Sequence, residues 1–148
     1  MFPSMQTMEH NVGLQMVLLP DLSDMAGIDP MLAAAKKEGV QGLIFGAQAF
    51  LKGEGFRRIQ AWAIENNVLT VATIFFAGDV LIAHGPNMPA VLAVHYRQID
   101  QMLRGANPAE IPIEEPTVYD IVISRKIAKA MGLTLPTSVL LQATEVID

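Results

Sequence analysis

There is no cysteine among the 148 residues of this chain. That excludes disulfides, thiolate nucleophiles and thiolate metal ligands, and it leaves the redox compartment open. Charge is also scarce: 17% of the residues are Asp, Glu, Lys or Arg, against about a quarter in an ordinary soluble domain. The ten basic residues are scattered and the formal net charge is −5, so no basic stripe exists to displace counterions from a nucleic-acid backbone. Long hydrophobic runs are missing too. The most apolar stretch, residues 68–77, is cut by Gly78 and Asp79, well short of the roughly 18 residues a membrane span requires.

Catalytic signatures are equally thin. His10, His84 and His95 have no spacing that puts two imidazoles on one helical face, and no H-E-x-x-H is present, so no metal site is expected. No G-x-S-x-G surrounds Ser4, Ser23, Ser124 or Ser138. Asp21, Asp24, Asp79 and Lys126 only loosely echo a phosphorylated receiver site, and acids after strands ordinarily cap turns. Gly53, Gly55, Arg57 and Arg58, next to Lys52 at a helix start, could hold an anion. That is the basis of the rival reading, a flavodoxin-like enzyme or phosphate-cofactor protein, but both G-x-G-x-x-G and the P-loop pattern are absent. The sequence thus favours a protein that binds without converting, with no cofactor.

Apolar residues dominate what is present, at 51% of the chain. Such a surplus is either buried internally or covered by a second chain or domain, and the second option predicts a homo-oligomer. The length suits one domain spanning 1–148, with a lead-in over 1–13 and a docking tail over 136–148.

The continuous apolar runs at 14–19, 42–45 and 68–75 read as buried strands, followed by a short one at 80–83 and another at 118–123. Helices fit between them. Asp29-Pro30 opens one that carries Leu32 and Ala35. Phe56, Ile59 and Ala63 mark a second, stopped by Asn66-Asn67. Asn87 caps a third that is expected to bury Leu92, Tyr96, Ile99 and Leu103. Ser124 caps a short fourth that ends at Gly132. The tail after Pro136 reads as a short helix and then a strand. Alternation of this kind predicts an α/β fold: a doubly wound, mostly parallel five-stranded sheet with helices on both faces, in the flavodoxin-like order 2-1-3-4-5.

In such sheets ligands sit beyond the carboxyl ends of the strands. The candidate ligand-binding residues there are Gln48, Phe50, Phe76, His84 and Asn87, the phenylalanines for stacking and the others for hydrogen bonding. The expected partner is a small organic molecule.

The carboxyl-terminal part carries a more specific signal. Gly85-Pro86-Asn87, Ile99-Asp100, residues 103–108, 111–117 and 128–136, and the terminal Glu145-Val146-Ile147 succeed one another in an order and spacing that closely resembles the ABC-transporter substrate-binding proteins. Residues 14–75 share only the generic α/β pattern. The resemblance implies one Rossmann-like lobe, the carboxy-terminal one, of a two-lobed periplasmic protein that clamps an amino acid or aromatic acid and delivers it to an ABC permease. This sequence departs from the family pattern at His84 and Ser124, where the family usually has Tyr and Asn. The first residues show no basic stretch followed by an apolar one, which predicts a cytoplasmic location, whereas the resemblance implies a periplasmic one.

Overall fold

A computed structural model describes residues 13–20, 24–46 and 53–148. Asp24 accepts a hydrogen bond from the Gly27 backbone N–H at 3.0 Å and starts a 3-10 turn, Met25–Gly27. The turn feeds α1, Ile28–Glu38, so the helix begins just ahead of Asp29-Pro30. Ile28, Met31, Leu32 and Ala35, at i, i+3, i+4 and i+7, form its buried stripe. It ends on Gly39, whose φ of 64° is the left-handed conformation that favours glycine.

Strand β1, Gly42–Phe45, alternates exposed and buried residues. Helix α2, Glu54–Glu65, buries Phe56, Ile59, Gln60 and Ala63 and stops at the Asn66-Asn67 pair, where Asn67 adopts a positive φ of 54°. Strand β2, Leu69–Thr73, gives way to a 3-10 turn at Ile74–Phe76, so it is shorter than the apolar run suggested. The next strand, β3, covers Ile82–Pro86, two to three residues further on than the expected 80–83. Val80 instead forms an isolated bridge with Ala77. Then come α3, Met88–Leu103, β4, Tyr119–Ser124, α4, Arg125–Ala130, α5, Thr137–Leu140, and β5, Glu145–Ile147.

The sheet is α/β, five-stranded and mostly parallel, as expected, but its order is β1-β2-β3-β4-β5. The order 2-1-3-4-5 required the 14–19 run to lie between residues 42–45 and the third strand. That slot does not exist, because β1 pairs directly and in parallel with β2, Ile44 opposite Val71. Residues 14–20 lie outside any strand, with Leu14 and Leu18 exposed and Leu19 packed on the core. An apolar run without alternation carries no register of its own, and the ladder went to a competitor. β2 and β3 are parallel, β3 and β4 antiparallel, and β4 and β5 parallel. The tail therefore lands on β4, Val146 opposite Ile123.

Residues opposite one another in register share a face of the sheet. One face presents Leu43, Phe45, Thr70, Ala72, Ala83 and Val122, all buried beneath α1 and α2. At its centre Phe56 contacts Phe45 edge-on, with ring centroids 5.4 Å apart, and Phe76 at 4.3 Å. Thr70 ties this layer together. Its hydroxyl donates to Gln60 Oε1 at 2.7 Å and accepts from the Leu81 N–H at 2.9 Å, so α2, β2 and the start of β3 share one buried polar junction.

The opposite face presents Ile44, Leu69, Val71, Thr73, Ile82, His84, Pro86, Tyr119 and Ile121, and it is far more open. Ile44 is 72% exposed. Helices on both faces were expected; on the second face of β1–β3, Ile44, Leu69 and His84 are exposed, while Val71, Thr73, Ile82 and Pro86 are half-buried. A smaller cluster of Leu81, Ile127, Ala128 and Met131, flanked by Ile82, holds α4 to the sheet.

The largest departure is α3. It forms where expected, capped by the Asn87 side chain, which accepts from the Ala90 N–H at 2.9 Å. Yet none of its 16 residues is buried. Leu92, Tyr96, Ile99 and Leu103, expected in the core, are exposed. The sequence has the apolar stripe, but no described element lies against it.

Candidate functional site

Three parallel strands put their carboxyl ends on one edge: Phe45 of β1, Thr73 of β2 and Pro86 of β3. Because β4 runs antiparallel to β3, its beginning lies at the same edge, Tyr119 opposite Pro86 and Asp120 opposite Gly85. An all-parallel reading sends Tyr119 and Asp120 to the far side of the sheet, so nothing in that reading singles them out. One signal was available: the Pro-rich 106–116 segment returns the chain without a second crossover helix, as an antiparallel strand permits.

Gly85 allows the close packing this edge needs. A Cβ there would come within 3.0–3.2 Å of Ile74 side-chain and backbone atoms, so β3 slides beneath the 3-10 turn only because this residue has no side chain. The turn also splits the phenylalanine pair. Phe75 is 55% exposed, whereas Phe76 is 1% exposed and seated on Phe56.

His84 lies within β3 and not after it, on the open face, with Thr73 and Ile121 as its register partners. Its ring stacks on Tyr119, with centroids 5.6 Å apart and planes 6° from parallel. Next to it, Thr73 Oγ1 is buried and has no hydrogen-bond partner. Asn87 donates from Nδ2 to Asp120 Oδ2 at 2.9 Å, and its backbone N–H donates to the Val118 carbonyl at 2.9 Å.

The structure thus brings together His84 and Asn87 from the expected set, with Asn87 occupied in capping and in holding Asp120. Phe76 belongs to the core, and the exposed ring at that turn is Phe75. Gln48 and Phe50 lie outside the described residues. The edge gains Tyr119, Asp120 and Thr73. Chemically its open face offers an aromatic and imidazole pair on an apolar strand surface, with the Thr73 hydroxyl buried next to it; the Asp120 carboxylate, held by Asn87, belongs to the other face of β4. That suits stacking of a planar organic solute together with a few hydrogen bonds.

Other features give less. At the start of α2, Arg58 is turned to Asp29, Nη2 to Oδ1 at 2.6 Å, away from the anion role the rival reading gave it. Asp24 is engaged in its cap and Asp79 in the turn after Phe76. Among the described residues no group of three His, Asp or Glu side chains is placed to hold a metal ion. Among the described residues a shallow depression of about 410 Å³ lies between α4 and α5, and one of about 180 Å³ lies between α3 and the 114–118 segment, adjoining the edge at Val118. The edge is the stronger candidate, because it combines stacking surface with an unsatisfied polar atom and the depressions do not.

Solved structures share this architecture. A conserved domain protein from Vibrio cholerae O1 biovar El Tor superposes with a TM-score of 0.79 at 15% identity, over 97% of this chain and 48% of that one. A ligand-free, open substrate-binding protein with adhesive properties from Clostridium difficile gives 0.71 at 14% identity, over 97% and 48%. The chain shares the fold of about half of each of these two proteins. The ABC domain of Streptococcus pneumoniae in complex with L-Trp is similar as well, with a TM-score of 0.66 at 21% identity over 85% of this chain and 44% of that one. The chain therefore spans about half the length of the solved proteins it matches. No protein-family model and no curated protein matches the sequence. Among the described residues, no helix is long and apolar enough to cross a membrane.

Proposed function

We propose that this chain acts as a solute-binding lobe of the ABC-transporter substrate-binding type, holding a small organic molecule such as an amino acid or aromatic acid without converting it. The observation that carries the reading is the stacked His84–Tyr119 pair on an open apolar strand face, beside the unpartnered Thr73 hydroxyl. In this reading an aromatic side chain of the solute lies against the His84–Tyr119 pair, and the apolar strand face beside it covers the rest. A neighbour of the same fold that was solved with L-Trp supports that class of solute. Delivery to an ABC permease, outside the cytoplasm, belongs to the same proposal.

Isothermal titration with L-Trp, L-Phe, L-Tyr and indole-3-acetate tests it. The expected result is saturable binding of at least one of them, weakened about tenfold or more in Tyr119→Ala, a stacking loss of roughly 1–3 kcal/mol. Absence of heat and of any thermal shift across the panel, with the protein folded, would overturn the reading.

A further inference from the structure

We propose a second small-molecule site, in the depression between α4 and α5, that takes an apolar monocarboxylate: a short hydrocarbon chain ending in one carboxylate. It rests on residues that play no part in the sheet edge described above. The depression holds about 410 Å³, inside the range of about 300–1,000 Å³ typical of ligand pockets. β4 carries the chain from Tyr119 at that edge to Ser124 at the far one, so roughly 17 Å of strand separates the two sites.

A sharp turn of the chain makes the depression. α4 stops at Ala130, and Gly132 follows with a φ of 67°, the left-handed conformation that ends a helix and redirects the chain. The Leu133 N–H then donates back to the Ala128 carbonyl at 2.9 Å. Residues 133–135 are thereby held beside α4, and Leu140 of α5 lines the other side. A Cβ built on Gly132 would meet nothing within 4 Å, so the turn encloses open space instead of packed atoms. The floor is apolar. Ala128 is 2% exposed and clusters with Leu81, Ile127 and Met131, and Leu135 packs against that cluster. Leu133 is exposed beside it.

Charge selects the occupant. Arg125 and Lys129 stand four residues apart on one face of α4, and both line the depression. No acidic residue occurs between Asp120 and Glu145, so this segment is locally positive in a chain of net charge −5. Arg125 reaches one acid, Asp148, at 3.6 Å, and both side chains are exposed, which makes that pair weak and exchangeable. Among the described residues no acid comes within ion-pair distance of Lys129. An inorganic anion would meet only exposed cations, whose attraction salt screens. A neutral hydrocarbon would take the two cations out of water without pairing them. A carboxylate on an apolar chain satisfies both surfaces: its oxygens accept from the guanidinium and ammonium groups, and its chain lies on Ala128, Leu133, Leu135 and Leu140.

Isothermal titration with sodium octanoate tests this, with 1-octanol and sodium acetate as the two halves of the same chemistry. Octanoate is expected to bind one site with a Kd on the order of 100 µM, as a shallow pocket allows a ligand of about ten heavy atoms. Each half is expected to bind about tenfold more weakly or worse. The double variant Arg125→Gln/Lys129→Gln changes two exposed positions and leaves the core untouched; it is expected to weaken octanoate about tenfold or more. Leu133→Ser, which removes apolar wall and keeps both cations, is expected to weaken it about threefold or more. The proposal is overturned by an absence of saturable heat up to about 10 mM octanoate, by 1-octanol binding as tightly as octanoate, or by octanoate binding that the double variant leaves unchanged. Octanoate binding lost in Tyr119→Ala would place the ligand at the sheet edge and overturns it as well.

Discussion

Helices α1 and α3 carry the same kind of message and meet opposite fates. Each has apolar residues at helical spacing and a start that the sequence marks. In α1 the stripe of Ile28, Met31, Leu32 and Ala35 is closed against the sheet, and with α2 it buries the Phe45, Phe56 and Phe76 rings. In α3 an equally regular stripe faces outward, and no residue is buried. Periodicity reports which face of a helix favours burial, but it does not say whether the covering surface belongs to the same chain. The largest expected effects divide along that line. Phe56→Ala removes the ring that joins two aromatic neighbours and is expected to cost about 3–5 kcal/mol. Leu103→Ala, measured by urea denaturation at a dilution where any self-association is lost, is expected to change stability by less than ~0.5 kcal/mol. A loss above ~1.5 kcal/mol at Leu103 would mean that α3 packs within its own chain, and the contrast would fail.

Between the two regions lies Gly85, whose missing side chain lets β3 approach Ile74. Gly85→Ala puts a methyl group 3.0 Å from a β-branched side chain and 3.2 Å from a backbone nitrogen. Neither neighbour is a flexible chain end, so the expected loss is about 1–3 kcal/mol. The same substitution at exposed Gly46, which has nothing within 4 Å, is the control. Chemical denaturation of the two variants asks whether the covered face of the sheet is as tightly specified at its carboxyl edge, against Ile74, as it is beneath α2.

The fold was legible where a residue type carries a backbone requirement. Asn66-Asn67 stopped α2, Asn87 and Ser124 capped their helices, and the tail gave a short helix and a strand. The order of the sheet was not legible. Residues 14–19 look as strand-like as 42–45, and the choice between them is made by ladder partners that lie 25 or more residues apart in the sequence. Half of the site was hidden for the same reason. His84 and Asn87 come from the rule about carboxyl ends, whereas Tyr119 and Asp120 reach that edge only because β4 is antiparallel, a property set by the route of the 105–118 segment. Phe75 and Phe76 could not be told apart before the 3-10 turn assigned one to solvent and the other to the core.

The last expected effect concerns the residue that links the regions. Asn87 does two things with one amide: Oδ1 caps α3 at Ala90, and Nδ2 holds Asp120 on β4. Asn87→Ala removes both and is expected to cost about 1–2 kcal/mol. Asn87→Ser keeps a capping oxygen and gives up the reach to Asp120, so it separates the two. If the helix depends on its cap, the Ser variant retains the helical signal in far-ultraviolet circular dichroism and loses under ~1 kcal/mol. If Ser and Ala lose equal helix, the bond to Asp120 is what orients α3. The sheet edge and the exposed helix would then act as one unit, joined through the Asn87–Asp120 bond.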